Sequence, residues 1–175
     1  MNEQKLIQKC KKNEYIAQMQ VYHLYKDMMY NCSWRILKSR EDAQDVVQDS
    51  FIKGFEKIHQ KNETINLGAW LKRIVINQSL DLIRKRKKET WLEETNIVEL
   101  IDETEDFENT TILSISKIKT CLLQLKDKYQ IILNLYLIEN YTHKEISEFL
   151  DLKESTVRNQ YIRGKKQLQI LLKTL

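Results

Sequence analysis

The sequence predicts an all-α protein: two small helical domains joined by an acidic flexible linker, the second ending in a helix-turn-helix. Three observations predict it. The 175 residues contain no proline and only three glycines. Lys, Glu, Ile, Leu, Asn and Gln dominate, which suits helices and lacks the turn chemistry of an all-β protein. Charge is segregated: residues 1–88 hold 18 Lys/Arg against 10 Asp/Glu, residues 89–112 hold no base against nine acids, and residues 113–175 hold 11 against 6. Two basic units therefore flank an acidic connector, and basic units point to polyanionic partners. The third observation is the stretch Tyr141 to Leu168, two short periodic runs separated by Asp151-Leu152-Lys153.

The elements follow in order. Residues 3–12 read as a short polar helix. A longer amphipathic helix spans about Ile16 to Ser39, with Val21, Leu24, Tyr25, Met28, Met29, Cys32, Ile36 and Leu37 at three- and four-residue spacing. Ser39 is the expected cap of the next helix, about Glu41 to His59, with Asp42 in the capping-box position. Ala43, Val46, Val47, Phe51, Phe55 and Ile58 form its apolar stripe. Asp42, Asp45 and Asp49 line another face. Such an acidic face is either solvated, with Asp42 and Asp45 near the positive end of the helix dipole, or a docking face for a basic protein surface.

Residues 61–67, KNETINL, are a polar loop. Ala69 to Lys88 is one long helix, with Trp70, Leu71, Ile74, Val75, Leu82 and Ile83 as apolar contacts. Asn77, Asp81 and Arg84 fall on one polar strip. Five consecutive bases, Arg84 to Lys88, close the helix and are either a solvated end or a nucleic-acid contact. Residues 89–112 show no sustained period and read as the linker. Helices are expected at 113–125 and 127–139. The second is apolar nearly all round and should be the core of the C-terminal unit, with Asn140 as a left-handed cap.

In the closing stretch, Thr142 and Glu145 form a capping box ahead of Ile146, Phe149 and Leu150. The next run puts Val157, Tyr161, Gly164 and Leu168 on one face and Arg158, Asn159, Arg163 and Lys166 on the other. In a helix-turn-helix the second helix enters the major groove. Arg and Asn pair bidentately with guanine and adenine edges, and Lys and Arg neutralise phosphates.

Composition excludes other classes. Apolar residues make up 42% of the chain, enough for true cores and against global disorder. Cys10, Cys32 and Cys121 are far apart and fit reduced, packed thiols. No run approaches the length of a membrane span, and the N-terminus lacks a signal-peptide core. His23, His59 and His143 are isolated, and Gly-rich phosphate loops and GxSxG are absent. Asp42, Asp45 and Asp49 share one helix face, whereas a metal-dependent nuclease needs convergent ligands. The expectation is a cytoplasmic protein, not inserted in a membrane, with no enzymatic activity, metal or cofactor.

Together, three stretches resemble the extracytoplasmic-function (ECF) group of bacterial RNA polymerase sigma factors. REDAQDVVQDSFIKGFEKI is similar to that family's core-binding signature. AWLKRIVINQSLDLIRKRKK is similar to its W-L-x-x-I-A-x-N-x-x-x-D-x-x-R helix, and YTHKEISEFLDLKESTVRNQYIRGKKQL to its helix-turn-helix. The resemblance implies a first domain, 1–88, that binds core polymerase and the −10 element, a linker at 89–112, and a −35 domain at 113–175. It implies promoter DNA, core RNA polymerase and an anti-sigma factor as partners, and a role in opening DNA for initiation. It assigns Asp42, Asp45, Gln48 and Asp49 to polymerase binding, so the docking reading overtakes the solvated one. The −10 strand falls to Asn62, Thr64 and Asn66, which would hold an extruded base, and to Trp70, Lys72, Arg73, Asn77, Asp81 and Arg84. The −35 duplex falls to Ser155, Thr156, Arg158, Asn159, Ile162, Arg163 and Lys166. The competing reading is a stand-alone helix-turn-helix transcriptional regulator, which would bind its operator as a symmetric dimer.

Departures from the family pattern are Gln44 for Glu, Asp151 at the turn's common Gly position, Lys153 for a capping Ser, Gln160 for Arg, and Gly164 for Ala. Gly164 is expected to weaken the recognition helix, since Gly costs about 1 kcal/mol against Ala in a helix interior.

Overall fold

The structure, a computed structural model, describes residues 3–62, 64–86 and 115–174. The acidic linker read at 89–112 lies outside the described residues. Those residues fall into two compact units, divided after Arg86, and the described elements are helices and turns.

The first unit contains α1 (Glu3–Lys11), α2 (Tyr15–Leu37), α3 (Arg40–Lys57), a 3₁₀ turn (Ile58–Gln60) and α4 (Leu67–Arg86). Helices α2, α3 and α4 pack against one another, and α1 lies on α2 and the 3₁₀ turn. Val21, Met29, Val46, Val47, Phe51, Ile58, Leu67, Leu71 and Val75 form the core. Leu6, Ile7 and Cys10 bring α1 into it. Burial, with the Glu14 carboxylate beside it, pushes the Cys10 thiol up to about 11, so it packs as a protonated small hydrophobe. A polar link crosses between α2 and α4: Ser79 Oγ donates to the Val75 carbonyl at 2.8 Å, which leaves the Ser33 hydroxyl to donate to Ser79 Oγ at 2.9 Å.

The apolar stripe read along α2 is only partly buried. Leu24 is 64% exposed and Met28 38%. The buried arc runs instead through Ala17, Val21, Met29, Cys32, Ser33 and Ile36. Ser33 serves there because α4 comes close enough for its hydroxyl to meet Ser79, and Leu24 and Met28 lie beyond the arc the neighbouring helices cover.

The second unit contains α5 (Ile115–Gln124), α6 (Asp127–Leu133), a π turn (Asn134–Ile138), α7 (His143–Leu150) and α8 (Glu154–Thr174). Tyr129 to Leu135 are buried throughout, as an all-round apolar segment requires. The helix expected through 139 widens into the π turn from Asn134. Asn140 follows that turn with φ 59°, a left-handed geometry that Asn tolerates. Helices α5, α6 and α7 all pack on α8, which runs six residues beyond Leu168.

Gly164 reverses its expected role. A Cβ there would sit 2.9 Å from Tyr129 Cβ and 3.1 Å from Leu133 Cδ1. The close approach of α8 to α6 needs a residue without a side chain, and this offsets the helix-propensity cost.

Candidate docking and nucleic-acid interfaces

The acidic face begins where α3 begins. Ser39 Oγ accepts the Asp42 N–H at 3.3 Å, the expected cap. Asp45, Gln48 and Asp49 follow at helical spacing and are exposed. Asp42 stands apart from them. Its two oxygens take Arg86 Nη1 and Nη2, each at 2.6 Å, and its side chain is only 18% exposed. The Arg86 guanidinium first, and the Ser39 hydroxyl second, hold the Asp42 carboxyl below the ordinary carboxylate range. This fork ties the last turn of α4 to the first turn of α3, across 44 positions of sequence. Among the described residues no group of three His, Cys, Asp or Glu is placed to hold a metal ion.

On the α4 side, Asn62, Thr64 and Asn66 are exposed in the loop before the helix. Asn66 Oδ1 accepts the Ala69 N–H at 2.9 Å, so its acceptor oxygen caps α4. Trp70 is half-buried, with Lys61 Nζ 5.8 Å from its ring centroid. At 3.6 residues per turn, Trp70, Arg73, Asn77, Asp81 and Arg84 share one strip. The last four are exposed, and Arg84 Nη1 donates to Asp81 Oδ1 at 2.9 Å. Lys72 does not join the strip: it is half-buried and lies about half a turn away.

The loop has a support that reading the sequence missed. Glu3 Oε1 accepts the Leu67 N–H at 3.2 Å and the Tyr25 hydroxyl at 3.1 Å. The Leu67 N–H is one of the orphan donors at the start of α4. Burial and this carboxylate push the Tyr25 hydroxyl up to about 12. No local signal marks Glu3, because its partners lie 22 and 64 residues away.

The third surface is on α7 and α8. Thr142 Oγ1 accepts the Glu145 N–H at 3.2 Å, and Glu145 Oε2 accepts the Thr142 N–H at 2.8 Å, so the capping box is complete. Asp151 ends α7 at φ 55° and ψ 46°, the left-handed geometry the turn needs. Although Lys153 offers no capping side-chain oxygen, its carbonyl accepts the N–H groups of Thr156 and Val157 at 2.9 and 3.2 Å. Val157, Gly164 and Leu168 are buried. Ser155, Asn159, Ile162 and Lys166 lie about half a turn from them, flanked by Thr156, Arg158 and Arg163. Arg158 reaches back to Glu154 Oε1, with Nη2 at 2.8 Å. An exposed pair at this spacing contributes about 0.3–0.5 kcal/mol, so it hardly opposes a competing phosphate or base.

Both units have counterparts among known proteins. The Sigma-70 region 2 model matches residues 21–89 and the Sigma-70, region 4 model matches residues 115–168. The ECF RNA polymerase sigma factor SigW of Bacillus subtilis (strain 168) is 28% identical, over 98% of this chain and 97% of SigW. SigM of the same organism is 22% identical, over 87% of this chain and 93% of SigM. Two solved structures share the fold. CnrH, solved with the cytosolic domain of CnrY, has a TM-score of 0.60 at 19% identity, covering 99% of each chain. The sigma factor RpoE, solved with the anti-sigma factor NepR from Bartonella quintana, has a TM-score of 0.58 at 21% identity, covering 89% of this chain and 96% of RpoE. With regions 2 and 4 in order and relatives matched along nearly their whole length, the chain belongs to the extracytoplasmic-function group of RNA polymerase sigma factors.

Proposed function

We propose that this sigma factor divides promoter recognition among three surfaces. Asp45, Gln48 and Asp49, with Asp42 at their edge, dock a basic surface of core RNA polymerase. The loop residues Asn62, Thr64 and Asn66 hold an extruded base of the −10 element. Trp70, Arg73, Asn77, Asp81 and Arg84 flank the melted strand, with Lys72 as an outlying charge. Ser155, Thr156, Arg158, Asn159, Ile162, Arg163 and Lys166 face the −35 duplex, anchoring it to one side of the opened segment. The domains run 1–88 and 113–175, and the acidic segment 89–112 tethers them.

One observation carries this reading: each unit turns a polar strip away from its own core, and the acidic face stands on a different helix from both DNA strips. Sigma factors act as non-enzymatic initiation factors, and we assign this chain no catalytic activity and no cofactor. We assign its site of action to the cytoplasm, where core RNA polymerase works; no described helix is long and apolar enough to cross a membrane. RpoE was solved with an anti-sigma factor, and a partner of that class is expected here. A stand-alone regulator is not favoured, because it leaves the matched region 2 without a task.

The test is transcription in vitro. Core polymerase plus this chain should start at promoters sharing −35 and −10 elements that core alone ignores. Identical initiation with and without the chain on every genomic promoter would sink the assignment.

A further inference from the structure

Helix α1 has no task in the reading above, yet both stems of the 61–66 loop rest on it. The loop enters from the 3₁₀ turn, whose Ile58 is fully buried, and leaves into α4 through Leu67, also fully buried. Both belong to the cluster that contains Leu6, Ile7 and Cys10 of α1. Polar contacts add to the apolar ones. Glu3 stands at the first position of α1 and its Oε1 accepts the first N–H of α4. One carboxylate thus serves the positive ends of two helices, where an anion is favoured.

Tyr25 of α2 completes the arrangement. Its hydroxyl donates to the same Glu3 oxygen, and its ring lies where a Gly68 side chain would be, with Cε1 2.8 Å from an ideal Cβ. Glu3 is therefore held from one side by Tyr25 and holds Leu67 on the other. Asn66, the residue before Leu67, already spends Oδ1 on capping α4. The angle at which Asn62, Thr64 and Asn66 leave the fold is set by where α4 starts, and Glu3 fixes that start.

We propose that Glu3, oriented by Tyr25, is a positioning residue for −10 recognition: it sets the register of the 61–66 loop and so the base preference of that loop. This rests on the proposed base-holding role of the loop and adds α1 to the specificity apparatus. Glu3 itself touches no DNA. A purely structural glutamate would change melting temperature alone. A positioning one changes which bases are preferred.

The experiment uses full-length protein with core polymerase and a promoter pool randomised across the −10 element, with transcripts read by sequencing. Glu3→Ala should flatten the preference at one −10 position by roughly 5-fold, the size of one net hydrogen bond, while −35 preferences stay as in wild type. Glu3→Gln keeps an oxygen that accepts both bonds and should restore the preference. Tyr25→Phe frees the carboxylate but leaves Leu67 capped, so it should flatten the same position by roughly 2-fold. It also serves as the test if Glu3→Ala does not fold. Wild-type −10 preference in a folded Glu3→Ala, or in Tyr25→Phe if the alanine variant is lost, overturns the proposal. Failure of the underlying reading looks different: Asn62→Ala with Thr64→Ala would then leave every −10 preference unchanged. That result removes the base-holding loop and the positioning role together.

Discussion

The two units solve one problem, presenting polar side chains at a fixed angle, by opposite means. In the C-terminal unit the links that shape the motif are local. The Thr142–Glu145 capping box, the left-handed Asp151 and the Glu154–Arg158 pair each close within four residues. In the N-terminal unit the links that place the interface are distant in sequence. Glu3 reaches Leu67, Ser33 reaches Ser79 and Arg86 reaches Asp42, across 64, 46 and 44 positions. A helix-turn-helix carries its own geometry and tolerates exchange of surface residues. A loop placed by distant contacts depends on the whole bundle, and changes far from the loop reach it.

The largest expected effect tests whether the N-terminal unit separates docking from DNA capture. Asp45→Arg with Asp49→Arg should weaken polymerase binding on the order of 100-fold or more, since like charges face each other at a desolvated interface. Helix content and melting temperature should stay near wild type, because both side chains are exposed. Unchanged polymerase affinity would remove the docking role. Next in size is the C-terminal unit. Arg158→Ala with Asn159→Ala should lower affinity of the holoenzyme for a −35 duplex by roughly 10- to 100-fold, about 1–3 kcal/mol for a good bidentate contact. The loss should be confined to a few base positions and should leave −10 preferences intact. A uniform loss across all sequences would instead assign these residues to phosphates.

The same contrast explains what the sequence made legible. The number, order and approximate extent of the helices followed from periodicity, and the capping box and Asn140 followed from residue type at fixed spacing. Buried face and polar strip of α8 were readable because one helix period determines both. Besides the Glu3 contact to Leu67, three features were not readable. Leu24 and Met28 continue the apolar period of α2 but face away from its neighbours, because period alone cannot say how wide an arc those neighbours cover. Asp42 sits in line with Asp45 and Asp49, yet its carboxylate belongs to Arg86, a partner that becomes adjacent only after α3 and α4 pack. Helix propensity marks Gly164 as a weakness, although its role lies in the closeness of α6, a tertiary quantity.

Gly164 also gives the third prediction. Gly164→Ala should gain about 1 kcal/mol of helix propensity but force apart two helices in contact through Tyr129 Cβ and Leu133. A Cβ on a neighbouring backbone cannot swing aside as a side-chain tip can, and overpacking costs typically 1–3 kcal/mol. The expected net is a loss of about 1 kcal/mol, a few degrees in Tm of the C-terminal unit alone. A raised Tm would show that α8 can slide on α6.

The smallest effect concerns the distant links of the N-terminal unit, and pH isolates one of them. Tyr25 loses its proton at about 12 in the fold, against an ordinary value of 10.0. Between those values the unfolded chain has released this proton while the folded chain still holds it. Stability therefore falls with rising pH across that window, and the contribution is fully present below pH 10. Tyr25→Phe should flatten this part of the stability–pH curve. Asp42 behaves in the opposite sense. Its folded pKa lies below the ordinary carboxylate range, so its bridge to Arg86 contributes above that range and is lost as pH falls through the lowered pKa. Because the Arg86 end of the pair is more than half exposed, added salt should weaken the Asp42 bridge, whereas the Tyr25 effect, dominated by burial, should persist. Equal salt sensitivity of the two would mean that charge rather than desolvation governs Tyr25, and that the clasp behind the loop is open to solvent.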